Sequence, residues 1–161
     1  MPDVTKASAN DITIRRAIRD DVPAIVCLFA DDAVGGHGDS DDPRALPHYF
    51  AAFDAIEASG NQTLFVVASD SGRIVGTFET TLLRGMAGRG AASVRIGGVQ
   101  VAADARGRGI GEAMMRFALD EARRLGAAGV QLTSNMARAD AHRFYARLGF
   151  AHSHAGFTLK L

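Results

Sequence analysis

A glycine-rich turn at residues 106–111 has the composition of an anion-binding loop. An apolar, strand-like run ends at Val101 just before it, and an amphipathic helix begins directly after it. The first backbone amides of a helix and the positive end of its dipole attract anions, and glycines let phosphate oxygens approach the backbone. Gly107, Gly109 and Gly111 therefore predict a site that fits a pyrophosphate group.

Two familiar phosphate-binding loops do not fit this segment. The P-loop requires Gly-Lys-Ser/Thr, and no glycine in the chain is followed by lysine. The dinucleotide-binding fingerprint, started at Gly107, requires a third glycine at the position of Glu112. A tight strand-to-helix turn with only a packing role stays open as an alternative.

The pattern that remains is Arg106-x-x-Gly109-x-Gly111. It resembles the acyl-coenzyme A loop of the GNAT family of N-acetyltransferases, whose pattern is Gln/Arg-x-x-Gly-x-Gly/Ala. The resemblance implies that acetyl-coenzyme A is the co-substrate. No metal is expected, on the separate ground that no complete set of metal ligands is evident in the sequence.

A second segment, residues 141–150, is similar to the other signature of that family, a helix with an aromatic pair that ends in Leu-Gly-Phe. Phe144 and Tyr145 form the pair, and Gly149 lies in the terminating Leu-Gly-Phe. The two motifs stand in the order and at the distance that the family has. The resemblance covers nearly the whole chain, although its specific letters lie between Val99 and Phe150.

The resemblance implies an acyltransferase that moves an acetyl group from acetyl-coenzyme A to a primary amine by direct attack in a ternary complex. In the family, the strand before the loop offers its backbone to the thioester and the pantetheine arm, and the loop holds the pyrophosphate. The co-substrate-binding residues implied here are Val99, Gln100, Val101, Arg106, Gly107, Arg108, Gly109, Ile110, Gly111, Asn135 and Tyr145.

The same resemblance places Tyr145 as the general acid that protonates the departing thiolate. A phenol with an ordinary pKa of about 10 is protonated at neutral pH and can supply that proton. Many relatives carry the general base on the strand that here contains Gly97 and Gly98, so no carboxylate is available there. Glu79 on the preceding strand is the candidate base, and a chain of waters is the alternative. A non-catalytic acyl-coenzyme A binding or sensing domain is the competing function.

The elements that must position these residues follow from periodicity and turn signals. Strands are expected at 12–15, 64–68, 73–81, 93–101 and 130–133, helices at 24–30, 43–58, 110–125 and 141–148, and one or two last strands within 150–161. The order predicts an α/β fold with a mixed central sheet and helices on both faces. It also looks like the GNAT acyltransferase fold, and the resemblance implies about six to seven strands with a splay between the fourth and fifth of these strands. One domain spans residues 1–161, with a flexible N-terminal segment at 1–10.

Composition narrows the class of protein further. The 161 residues are 47% apolar and carry 18 basic and 18 acidic side chains, so no net charge would gather nucleic acid or an anionic membrane. Cys27 is the single cysteine, which excludes an internal disulfide, and its apolar helix predicts a buried structural thiol. The start of the chain lacks the pattern of a signal peptide, so the cytoplasm is the expected location.

The acceptor is less defined than the donor. A loop after the first helix carries acidic side chains that would attract an ammonium group, unless it is simply solvated: Asp31, Asp32, Asp39, Asp41 and Asp42. Arg84 and Arg89 would instead suit a carboxylate. A small-molecule amine, an amino acid and a peptide N-terminus all stay open, and similar proteins suggest a homodimer. His152 and His154 would share the face of a strand, but no third metal ligand accompanies them.

Overall fold

A computed structural model describes residues 5–7, 12–32, 34 and 38–161 of the chain. The strands are β1 (Thr5–Ala7), β2 (Ile12–Arg16), β3 (Gln62–Ser69), β4 (Ile74–Leu83), β5 (Ser93–Val101) and β6 (Gly129–Leu132). The helices are α1 (Val22–Ala30), α2 (Leu46–Ser59), the single turn α3 (Ala87–Gly90), α4 (Ile110–Arg124) and α5 (Ala139–Arg147).

The six strands form one mixed sheet in chain order, β1-β2-β3-β4-β5-β6. All neighbours are antiparallel except β5 and β6, which are parallel. A parallel neighbour requires a long crossover, and α4 provides it. The predicted mixed sheet is confirmed, and β3 and β4 form a hairpin within it.

Helices cover both faces of this sheet, as predicted. On one face, Val22 and Ile25 of α1 and Phe53 of α2 pack against Leu64 and Val66 of β3. On the other face, Met114 and Met115 of α4 are buried with Phe65, Phe78 and Ile96. The rings of Phe65 and Phe78 stack with their centroids 5.0 Å apart. Each face thus has its own apolar cluster, and β4 and β5, which carry Glu79 and Val101, are held between them.

The sheet opens between β5 and β6. Their pairing begins at Ser93 with Gly129 and ends at Ile96 with Leu132, whereas β5 continues to Val101. The last residues of β5 therefore have a neighbour only on the β4 side. This gap is the splay that the sequence predicted, because the fourth and fifth predicted strands are β5 and β6.

Three features differ from the expectations. Strand β1 lies within the segment 1–10 that was expected to be flexible, and it pairs with β2; residues 1–4 and 8–10 lie outside the described residues. No strand occurs in residues 150–161, so the last strand was predicted wrongly and His152 and His154 share no strand face. Alternating apolar side chains there remain exposed, because no neighbouring strand pairs with them: Phe157, Leu159 and Leu161.

The prediction of a buried Cys27 is also wrong, because its side chain is exposed. The buried side of α1 is formed by Val22, Ile25, Val26 and Leu28. A nearly uniformly apolar helix does not reveal from its letters which side faces the sheet. Among the described residues, no helix has the length and apolar character needed to cross a membrane.

Candidate active site

Two glycines of the glycine-rich turn adopt a backbone conformation that favours glycine. Gly107 and Gly109 have φ angles of 73° and 78°, in the left-handed region that favours glycine. Gly109 caps α4, and its carbonyl accepts the first helical hydrogen bond, from the amide of Ala113 at 3.0 Å. The amides of the first helical turn therefore have no partner within the helix and point toward the loop. A Cβ atom at Gly107 would meet nothing within 4 Å, so the loop is open there.

Gly111 has a different role from the other two glycines. A Cβ atom built on it would lie 3.4 Å from the ring of Phe144 in α5. That distance is at the short end of ordinary van der Waals contact, so a methyl group here would touch α5 without displacing it. Unlike Gly107 and Gly109, Gly111 has no positive φ, so neither packing nor backbone conformation requires glycine at this position.

A β-bulge is present on β5 at Gly97 and Gly98. Thr77 of β4 lies opposite Gln100, and Glu79 lies opposite Gly97, so β5 holds one residue more than β4 in this stretch. Gly98 adopts a φ of +57°, which only glycine accepts readily. The bulge lies where the pairing with β6 has just ended.

Val101 presents its backbone to the gap between β5 and β6. The amide of the next residue, Ala102, bonds the carbonyl of Val75 toward β4, at 2.9 Å. Backbone groups of successive residues in a strand point to opposite edges, so those of Val101 face away from β4. The Val101 carbonyl accepts a bond from Nε of Arg106 at 3.1 Å, which ties the glycine-rich loop to the end of this strand.

Glu79 brings a carboxylate to the bulge, although β5 itself carries none there. A Cβ atom at Gly97 would lie 2.8 Å from Oε1 of Glu79, so this side chain fills the space beside the glycine. Nε2 of Gln62 donates to Oε2 of Glu79 at 3.0 Å and orients the carboxylate. Phe29 of α1 lies close to Gly98, which places Glu79 on the face covered by α1 and α2.

Tyr145 lies on α5 and is half-buried. Its ring is 5.2 Å from that of Phe144 and 5.8 Å from that of Phe150, in edge-to-face arrangements. Burial raises the pKa of the Tyr145 phenol above its ordinary value, and the positive charge of Arg138 opposes this in part. The phenol is therefore protonated at neutral pH, as a proton donor must be.

Sequence reasoning missed a bridge across the splayed end of the sheet. Oδ2 of Asp32, at the end of α1, accepts a hydrogen bond from Nε2 of Gln100 at 2.8 Å and also pairs with the guanidinium of Arg138. Burial alone would raise the pKa of Asp32, but the bonds from Arg138 and Gln100 outweigh it and hold the pKa below its usual range. Asp32 and Arg138 are 106 positions apart, so no local pattern could reveal the contact.

Asn135 lies in the loop between β6 and α5. Its Oδ1 accepts the amide of Ala137 at 2.9 Å, and its carbonyl accepts the amide of Arg138 at 2.9 Å. The side chain thus shapes the turn before α5. Its contact with the pantetheine arm stays a prediction.

The charged side chains near the predicted acceptor site divide into paired and unpaired groups. Asp42 pairs with Arg44, and Asp39 accepts a bond from the hydroxyl of Tyr49 at 2.9 Å. Arg84 and Arg89 are exposed and have no ion-pair partner among the residues the structure describes. Two of the five aspartates predicted to border the acceptor, Asp32 and Asp42, thus pair with an arginine, which reduces the attraction of this loop for an ammonium group. In the described part of the chain, no cluster of three or more metal-ligating side chains occurs.

A mixed sheet that splays beside a glycine-rich helix start is the architecture of an acyltransferase. The model of the acetyltransferase (GNAT) family matches residues 23–150. The chain belongs to this family. The match confirms the family and fold that the two motifs predicted and supports the predicted enzyme class.

Similar proteins extend the comparison. An aminoalkylphosphonate N-acetyltransferase of Salmonella typhimurium is 46% identical over 56 residues, which are 35% of this chain and only 36% of that protein. The structure of a transcriptional regulator from Bacillus halodurans C-125 is 33% identical, with a TM-score of 0.89 over 93% of this chain and 99% of that one. Glucosamine-6-phosphate N-acetyltransferase from Arabidopsis thaliana shares the fold alone, at 18% identity and a TM-score of 0.76 over 92% and 97% of the two chains.

Proposed function

We propose that the protein transfers an acetyl group from acetyl-coenzyme A to the primary amine of a small molecule. The observation that carries the proposal is the continuity of two binding surfaces. The gap beside Val101 opens onto the glycine-rich start of α4, and Arg106 connects the two. A thioester in the gap and a pyrophosphate at the helix start can thus belong to one molecule of acetyl-coenzyme A.

The backbone of β5 orients the reacting carbonyl. The amide of Val101 donates to the carbonyl oxygen, where negative charge develops as the amine nitrogen attacks the carbon. A fixed donor aimed at such an oxyanion lowers the barrier by roughly 3 kcal/mol. Binding both substrates side by side also removes much of the entropic cost of the encounter.

Two side chains move the protons. Glu79 lies beside the bulge and accepts the proton that the attacking amine must lose. When the tetrahedral intermediate collapses, the carbon–sulfur bond breaks and Tyr145 gives its proton to the thiolate. A water chain between the amine and bulk solvent is the alternative to Glu79.

The acceptor class follows from chemistry and from one relative. The partly matched relative is named for aminoalkylphosphonates, so a short amine with a phosphonate is one candidate. Amino acids and peptide N-termini are the others. A homodimer is proposed by analogy with similar proteins.

A non-catalytic acyl-coenzyme A sensor is the second candidate. Two observations favour it: β5 carries glycines in place of a carboxylate at the bulge, and the relative with 33% identity is named a transcriptional regulator. A sensor would bind acetyl-coenzyme A without turning it over.

The deciding experiment combines calorimetric titration with acetyl-coenzyme A and a thiol-release assay over a panel of amines. The transferase predicts binding together with amine-dependent thiol release. Binding without release from any amine favours the sensor, and the absence of binding overturns the loop assignment.

The base is tested with Glu79→Gln, which keeps the bond partner of Gln62 and removes the charge. The rate should fall by roughly 100-fold, the effect typical of a lost general base, and the acidic limb of the pH–rate profile should change. An unaltered pH profile would assign the proton to a water chain instead.

A further inference from the structure

Three polar side chains lie next to one another on the sheet face that carries Glu79. Thr81 of β4 is directly opposite Gln62 of β3 on one side and Arg95 of β5 on the other. Residues directly opposite in antiparallel strands point to the same face. Leu64, which lies opposite Glu79, packs with α1 and α2, so all of these side chains are on the α1–α2 face.

The hydroxyl of Thr81 is an anomaly in this group. The residue is only 7% exposed, and its Oγ1 is buried with no hydrogen-bond partner among the residues that the structure describes. Buried hydroxyls nearly always have a partner. The other buried hydroxyl of this face, that of Thr77, bonds the carbonyl of Phe65 at 2.8 Å.

Arg95 is the second unsatisfied group. Its guanidinium is exposed and has no carboxylate partner in the described part of the chain. The carboxylate of Glu79, on the same face, already accepts a hydrogen bond from Gln62. Other arginines of the protein pair with aspartate or glutamate, for example Arg15 with Asp21.

We propose that Arg95 and Thr81 form a subsite for an oxyanion group of the acceptor. The acceptor is then a short amine that carries a carboxylate or a phosphonate. This inference rests on the proposed function and names the substrate class of the same site.

The spacing of the charges supports this pairing. Arg95 lies two residues before Gly97, so the two backbone positions are about 7 Å apart along the strand. Glu79 lies opposite Gly97 and Arg95 lies opposite Thr81, so the two side chains start from the same face with that interval between them. A small zwitterion can place its amino group at Glu79 and its anion at Arg95, where the hydroxyl of Thr81 donates a further hydrogen bond.

The first test compares three acceptors of similar size: β-alanine, 2-aminoethylphosphonate and propylamine, which lacks the anion. The wild-type kcat/KM should be at least ~10-fold higher for one of the anionic amines than for propylamine. Arg95→Gln should reduce that ratio by about 10- to 100-fold, the range for a lost hydrogen bond to a charged group. Arg123→Gln, a matched loss of charge at the end of α4, should leave the ratio unchanged.

The outcomes separate the subsite from the proposed function. Equal use of all three amines, or an Arg95→Gln variant that keeps the preference, overturns the subsite while the transferase stands. If no amine is acetylated, calorimetry with methylphosphonate replaces turnover. Binding that Arg95→Gln abolishes supports the subsite, and absent or unaffected binding overturns it. The better of the two anionic amines identifies the oxyanion.

Thr81→Val provides a second test, because the substrate preference should fall while the stability of the fold stays the same or rises. Valine keeps the shape and removes a buried hydroxyl that has no partner, so the melting temperature should stay the same or rise. The preference for the anionic amine should fall by about 5- to 10-fold, the value of one hydrogen bond. A fall in melting temperature would show that the hydroxyl has a structural partner and would remove this support for the subsite.

Discussion

Gly97→Ala tests the role of Glu79 without removing any functional group. The added Cβ atom would lie 2.8 Å from Oε1 of Glu79, and relaxed carbon–oxygen contacts are about 3.3 Å or longer. The carboxylate oxygen must therefore move by about 0.5 Å. Because it is the end of a flexible side chain, this movement costs little, and alanine is favoured over glycine in a strand by roughly 0.5–1 kcal/mol.

The free energy of unfolding should consequently change by less than about 1 kcal/mol. Catalysis is more sensitive, because a misplacement of about 1 Å can cost roughly 100-fold in rate. Half of that displacement predicts a fall in kcat/KM of about 10-fold. Urea denaturation and the thiol-release assay measure the two effects on the same preparation.

Gly98→Ala is the matched control, because it should lower the stability of the fold and leave kcat/KM nearly unchanged. A Cβ atom there would have ordinary contacts, the nearest with Phe29 at 3.5 Å, but the φ of +57° disfavours alanine by roughly 1–2 kcal/mol. This variant should lose stability. If Gly97→Ala slows an enzyme that already carries Glu79→Gln by the same factor, the effect does not pass through the carboxylate and the reasoning is wrong.

Two further predictions concern the acid and the bridge. Tyr145→Phe should lower kcat by about 100-fold or more in single-turnover assays while the fold is retained. Because burial raises the pKa of the Tyr145 phenol, any alkaline limb of the wild-type pH–rate profile that is due to this group should lie above pH 10. An unchanged kcat would assign the proton to another donor. Asp32→Asn should reduce stability by roughly 1 kcal/mol at pH 7, because the depressed pKa of Asp32 contributes stability above its unfolded-state value of about 3.9. That difference should vanish in melts at a pH below the folded pKa of Asp32, where the carboxyl is protonated in both states, and a difference that persists there would show that the charge is not the cause.

Local patterns were sufficient to predict the strand and the helices around the candidate acetyl-coenzyme A site. The apolar run 93–101 predicted β5 with the bounds that the structure has, and the helix after the glycines begins at Ile110. Gly149 ends α5 with a φ of 91°, as a C-terminal glycine should. In each case the bounds are set by requirements within a few neighbouring residues. A turn needs a residue that accepts positive φ, and a buried face needs apolar side chains.

The remaining features depend on contacts between distant parts of the chain. β1 is a short polar strand that forms against the edge of β2, and nothing in its three residues marks it. At the C-terminus the sequence predicted a strand that does not form. Residues 157–161 alternate between apolar and polar side chains as in a strand, but they pair with no neighbouring strand. The partners of Asp32 and the orphan hydroxyl of Thr81 emerge only when the sheet register is known.

The gap between β5 and β6 affects which substitutions the chain can tolerate at Val101. The group that it offers at Val101 belongs to the main chain, while the valine side chain packs against the core on the α4 side. Any apolar residue that fits the core keeps this amide, and only proline removes it. The proposed acetyl-coenzyme A site should therefore tolerate many apolar side chains at Val101, whereas the glycines with positive φ in the loop and the bulge should tolerate few replacements.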